Sequence, residues 1–180
     1  HAQSAGAWGG RALAGEGLQL PQLTCLDLMA VTGELAVSWS AMPQLAEVFF
    51  REIDEIGGLA IDTAGLAALT SLTYMCLEYC DSDSSSTGSN DVLAAAPPTV
   101  VDLCLYGASE DLDEAPPLSC VTQVTRLALD SPNLIPHLGP LKQLRQLDFV
   151  SDSPTAALTF QHMGCLAGMA SLQEVGFAGK

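Results

Sequence analysis

The groups in this sequence with chemistry to offer are six thiols, three imidazoles and a surplus of carboxylates. The thiols are Cys25, Cys76, Cys80, Cys104, Cys120 and Cys165, and the histidines are His1, His137 and His162. A structural zinc site takes four Cys or His ligands in closely spaced pairs. Cys76-x3-Cys80 has no second pair, and no histidine lies at ligand spacing from a thiol or carboxylate. No metal and no cofactor are therefore expected. A chain of 180 residues can bury a core without disulfide staples, so the thiols are read as free, in a reducing, intracellular compartment (cytoplasm, cilium or organelle). Neither Asn90 nor Asn133 opens a glycosylation sequon.

Catalytic constellations are also missing. There is no phosphate-cradling glycine loop followed by lysine and no Gly-x-Ser-x-Gly elbow. Gly9-Gly10 and Gly57-Gly58 read as turns. Carboxylate pairs such as Asp111 and Asp113 fall in polar stretches, where no apolar pocket would separate their pKa values. No nucleophile stands beside a base, so the expectation is not an enzyme.

Acidic residues outnumber basic ones 21 to 6, for a net charge of −15. Such a field repels nucleic acid and anionic membranes, because phosphate binding relies on Lys and Arg. It steers basic partners inward. Apolar residues make up 48% of the chain and charged residues 15%, a core-forming composition. No run of about 18 apolar residues offers a membrane span. The start, His-Ala-Gln-Ser, has no Met and no apolar signal core, which reads as a trimmed terminus or a piece of a longer chain.

The elements that must carry these groups come from an internal repeat. Apolar residues recur at a first position, three residues later, and two residues after that: Leu23-Leu26-Leu28, Leu45-Val48-Phe50, Leu72-Met75-Leu77, Val100-Leu103-Leu105, Val124-Leu127-Leu129, Leu144-Leu147-Phe149 and Leu172-Val175-Phe177. A further apolar residue lies three places earlier in six copies: Leu20, Met42, Leu69, Val121, Leu141 and Met169; Pro97 holds that place in the fourth. First positions step by 22, 27, 28, 24, 20 and 28 residues. Residues two apart share one face of a strand, and strands this short bury that face only by stacking.

On these seven copies the chain resembles the leucine-rich-repeat family, in an irregular form, over residues 18–180; residues 1–17 read as an N-terminal flank. The steps fit that family's repeat of roughly 20–29 residues. The Ala-rich Leu66–Leu72 segment resembles repeats common in green-algal proteins. The resemblance implies an α/β solenoid of about seven repeats: a curved parallel sheet on the concave side, short helices and loops on the convex side. It also implies protein binding, with regulation of a GTPase or substrate recognition for a ubiquitin ligase as further uses in the family.

The chain departs from the family three residues after the last strand position, where Asn or Cys usually bonds the turn backbone. Here that place reads Val31, Ile53, Cys80, Ala108, Pro132, Asp152 and Lys180. The turn backbone must then find other partners. Between strands, Asp62–Leu69 predicts a short helix capped by Asp62 or Thr63, and Thr159–Leu166 a second. Asn133–Pro140 is expected to be an extended loop because of Pro136. Two insert loops are expected, polar at 81–91 and acidic at 107–117. Neither end shows a polar capping repeat, so further repeats or a partner are expected there.

Strand alternation then dictates what the concave face presents. Each repeat contributes one acidic residue: Asp27, Glu47, Glu78, Asp102, Asp130, Asp148 and Glu174. Arg51 and Arg126 are its basic residues, and Phe49, Tyr74 and Tyr106 its aromatics on three adjacent repeats. Exposed aromatics beside fixed charge make binding hot spots. The candidate partner-binding set is Asp27, Glu47, Phe49, Arg51, Tyr74, Glu78, Asp102, Tyr106, Arg126, Asp130 and Asp148, expected to grip a basic segment of another protein. An architectural subunit of a large protein or ribonucleoprotein assembly is the alternative. Cys76 and Cys104 hold equivalent places on neighbouring strands and should be close, as free thiols or, less simply, as a disulfide or thiophilic-metal pair.

Overall fold

The computed structural model describes residues 3–5, 20–29, 37–51, 62–78, 87–107, 116–150 and 159–178. Eight strands form one sheet in chain order, every neighbour parallel. They are β1 (Gln3–Ala5), β2 (Cys25–Met29), β3 (Glu47–Arg51), β4 (Tyr74–Glu78), β5 (Asp102–Tyr106), β6 (Arg126–Leu129), β7 (Gln146–Val150) and β8 (Glu174–Ala178). Strands β2 to β8 are the seven repeat motifs. The short β1 comes from the segment read as a flank and pairs Gln3–Ala5 with Leu26–Leu28. The sheet does not close, since β1 and β8 are its two edges.

Register aligns the motifs position for position. Leu26, Val48, Met75, Leu103, Leu127, Leu147 and Val175 form one ladder, and Leu28, Phe50, Leu77, Leu105, Leu129, Phe149 and Phe177 another. Six members of each ladder are buried, while Val175 and Phe177 on β8 are exposed. The first motif residues Leu45, Leu72, Val100, Val124 and Leu144 are fully buried beside them. Burying one such side chain contributes roughly 1.5–3 kcal/mol, and a contiguous cluster of this kind runs from Leu26 to Leu166.

Connectors close the core from one side. Among the described residues they are α1 (Thr63–Ala67), α2 (Thr87–Ala94), α3 (Phe160–Ala167) and 3-10 turns at Trp39–Ala41, Leu118–Cys120 and Pro132–His137. Each helix packs on the 3-10 turn of an adjacent connector. No described helix is long and apolar enough to cross a membrane. The Asp62 carboxylate caps α1 by accepting from Gly65 N at 2.9 Å. Thr159 caps α3 reciprocally: its hydroxyl accepts from His162 N, and Nδ1 of His162 accepts from Thr159 N. His162 is thus a capping residue, and His137 is exposed on its 3-10 turn.

Two expectations fail locally. Residues 132–137, expected to be extended, form a 3-10 helix through Pro136. Pro132 sits at the helix start, where its fixed φ suits the first turn. Pro136 lies four residues on, and the steric conflict of an interior proline is with the i−4 carbonyl of a longer α-helix. The polar 81–91 insert is in part helical, because α2 begins at Thr87; Val92 and Leu93, buried at 2% and 0% exposure, anchor it. Residues 81–86 and 108–115 of the two inserts lie outside the described residues, as do Cys80 and the glycine pairs.

Backbone bonds ahead of the strands tie neighbouring repeats together. The carbonyl just ahead of each strand accepts two N–H groups from the next repeat: Thr24 from Ala46 and Glu47, Ala46 from Thr73 and Tyr74, Thr73 from Val101 and Asp102. Val101, Thr125 and Arg145 repeat the arrangement. Polar side chains just ahead of the first motif position bond the preceding turn: Ser71 to Pro43 O, Thr99 to Leu69 O, Gln123 to Pro97 O and Ser171 to Lys142 O. Of the seven places where the family carries Asn or Cys, only Pro132 is among the described residues.

Candidate functional site

The sheet face opposite the core carries the variable strand positions in three rows set by the register. The middle row runs Asp27, Phe49, Cys76, Cys104, Ala128, Asp148 and Gly176. Glu47, Tyr74, Asp102 and Arg126 lie in one flanking row, and Arg51, Glu78 and Tyr106 in the other. All eleven residues singled out in the sequence belong to this face or its margin. The structure sorts them into two charged clusters around a thiol centre.

In the first cluster Arg51 lies over the Phe49 ring, 4.8 Å from its centroid, with its Nε 3.6 Å from Asp27. Phe49 packs on Tyr74 at 5.1 Å between centroids. In the second, Arg126 spans two carboxylates: Nε donates to Asp148 at 3.2 Å and Nη1 lies 3.6 Å from Asp102. Gln146 also donates to Asp148, at 3.0 Å. The hydrogen bond to Asp148 raises the Arg126 pKa, with Asp102 adding to it. Burial raises the Asp102 pKa, against the pull of Arg126. Asp130, just beyond β6, accepts from Gly107 N at the end of β5; Gly107 takes a φ of 67°, a conformation glycine adopts without strain. Glu47 and Glu78 have no cation partner among the described residues.

The centre differs from the expectation of a wholly outward-facing surface. Cys76, Cys104 and Ala128 are buried at 3%, 5% and 8% exposure, under half-buried Phe49, Tyr74 and Tyr106. Small side chains in the middle row let the larger flanking rings fold over them. Cys76 and Cys104 stand opposite each other in register, in one buried cluster. Both are free thiols. The Tyr74 hydroxyl is 3.1 Å from Cys104 Sγ, and Tyr106 packs against the same cluster.

A hydroxyl that donates to a sulfur favours its thiolate. The Cys76 thiol and then the two tyrosine hydroxyls draw the Cys104 pKa down to about 7, although burial opposes them. Cys76, as the donor of the pair, is pushed up, as are both tyrosines. Sequence reasoning had placed these thiols side by side. It missed the Tyr74–Cys104 contact, because a tyrosine in a flanking row reaches the sulfur diagonally.

Beside this centre is a groove of about 440 Å³. Cys104, Ala128 and Gly176 leave the room, since their side chains are short or absent. Rings of Tyr74, Tyr106 and Phe177 and the Asp102–Arg126–Asp148 cluster border it. Among the described residues no group of three or more His, Cys, Asp or Glu could hold a metal ion.

The chain matches no known protein-family model, and a search of curated proteins finds no relative.

Proposed function

We propose that this chain is a non-catalytic protein-binding solenoid of the leucine-rich-repeat kind, gripping a Lys- or Arg-containing segment with its acidic, aromatic face. The observation that carries this reading is the Arg51–Phe49–Asp27 cluster. A guanidinium over a ring and beside a carboxylate is the contact a basic ligand would make, and the face builds one from its own residues. Arg126 sits between two carboxylates in the same manner. Tyr74 and Tyr106, with Glu47 and Glu78 unneutralised nearby, offer further places of this chemistry to an incoming chain. The surplus of negative charge speeds the encounter.

The test is an array of synthetic Lys- and Arg-containing peptides probed at low and high salt. Binding that weakens with salt, and that falls on Phe49→Ala with Tyr106→Ala or on Glu47→Gln with Glu78→Gln, is the expected result. Affinity untouched by the double aromatic variant would sink the proposal.

A second reading, an architectural subunit of a larger assembly, draws on the β8 edge. Phe177 and Val175 are exposed there at 68% and 37%, and exposed apolar groups at one edge suit a contact with another protein. A native mass far above that of the chain, persisting in high salt, would favour it; a small species that gains partners only at low salt would favour the first reading.

A further inference from the structure

We propose that Cys104 and Cys76 act as attacking and resolving thiols, through which hydrogen peroxide oxidises the pair to a disulfide joining β4 to β5. The two cysteines differ in setting although they share a row. Cys104 lines the groove, and Cys76 lies behind it, outside the groove lining. A small oxidant in the groove therefore meets Cys104 first. Cys104 is also the sulfur that the Tyr74 hydroxyl reaches, at 3.1 Å, while Cys76 faces it in register. Donors around one sulfur hold it as thiolate, the nucleophilic form.

The chemistry proceeds in two balanced steps. The Cys104 thiolate attacks one peroxide oxygen. The O–O bond breaks, an S–O bond forms, and the departing hydroxide takes a proton to become water. Sulfur loses two electrons to the peroxide and becomes a sulfenic acid. The Cys76 sulfur then attacks Cys104, the S–O bond breaks, and the leaving hydroxide carries off the Cys76 proton as water. In total, two thiols and one hydrogen peroxide give one disulfide and two waters.

Geometry favours the second step. Facing residues on neighbouring strands lie about 4.8 Å apart, within the roughly 4.4–6.8 Å that a disulfide spans between Cα atoms. The two residues are register partners on neighbouring strands and belong to one buried cluster. The other described cysteines lack this setting. Burial and Glu47 raise the Cys25 pKa, Cys120 is exposed, and Cys165 is half-buried on α3.

The experiment treats the reduced full chain with limiting hydrogen peroxide, blocks the remaining thiols, and maps the peptides by mass spectrometry. The expected result is a Cys76–Cys104 disulfide formed before exposed Cys120 is modified. In Cys76→Ser, a sulfenic-acid reagent such as dimedone should label Cys104. Tyr74→Phe, which removes one hydroxyl and leaves the ring, should slow Cys104 oxidation several-fold relative to Cys120. Earlier modification of Cys120, Cys104 pairing with any other cysteine, or equal rates in Tyr74→Phe and the parent would overturn the proposal. It stands or falls independently of peptide binding by the same face.

Discussion

The Tyr74 hydroxyl reaches diagonally across the sheet to Cys104 Sγ, 3.1 Å away, although the register pairs Tyr74 with Asp102 and Cys104 with Cys76. That diagonal ties a half-buried ring to a buried thiol on the next strand. The Tyr74→Phe substitution keeps the ring and deletes one of the donors that favour the thiolate. The midpoint of Cys104 alkylation against pH is expected to move up from about 7, with little change in unfolding free energy at pH 6.

The same thiol gives folding a pH dependence. The Cys104 pKa is lowered from 9.0 to about 7, so between those values the unfolded chain binds the additional proton. Stability from this group is fully present above the unfolded value and is lost as pH falls through about 7. Cys76 and both tyrosines are shifted upward, so their contribution declines as pH rises past their ordinary values. Denaturant titrations should show stability rising from pH 6.5 towards 8.5 and turning down at higher pH. Cys104→Ser should flatten the rise.

Core positions should separate by place in the sheet. Leu105 is fully buried on β5, and truncation to alanine is expected to cost about 2–5 kcal/mol. Val175, the equivalent of Leu103 on β8, is 37% exposed, and Val175→Ala should cost far less. Urea melts of the two variants give the comparison.

Gly65→Ala should destabilise the chain although alanine is the better helix former. An added Cβ would collide with the Asp62 carboxylate that caps α1 and stand 2.9 Å from the buried Trp39 ring. Helix propensity returns at most about 1 kcal/mol, against about 1 kcal/mol for a damaged cap and roughly 1–3 kcal/mol for overpacking. A lowered midpoint in thermal unfolding checks the sign.

Thr159→Ala tests the other cap. Its hydroxyl accepts from His162 N at the start of α3, and losing it should cost about 1 kcal/mol. His162→Gln should lose less, since a glutamine at that position can also close a capping box. Chemical denaturation of both variants measures the difference.

Strands β2 to β8 were legible because their pattern is dictated twice, by alternation along each strand and by identical motifs stacked in register; β1 carries no such motif and was not. Asp62 was legible as one of two candidate caps because a short polar side chain ahead of an apolar run has few other uses; at Thr159 only the helix was expected, not the cap. The 3-10 helix through Pro136 was not, since the proline rule applied to it belongs to longer α-helices. The thiol centre was half legible. Equivalent places on neighbouring strands set Cys76 beside Cys104, but their burial depends on how Phe49, Tyr74 and Tyr106 tilt over the row. Ring tilt follows from packing between strands that sequence spacing leaves unspecified.

The doubly accepting carbonyl ahead of each strand separates a repeat's length from its pitch. Steps between motifs range from 20 to 28 residues, yet Thr24, Ala46, Thr73, Val101, Thr125 and Arg145 each take the same two N–H groups from the next repeat. Register is set afresh at every strand, so a gain or loss of residues in one connector is absorbed locally and does not propagate. A chain built this way can change its connectors by insertion and deletion while the order of side chains across the sheet is inherited intact.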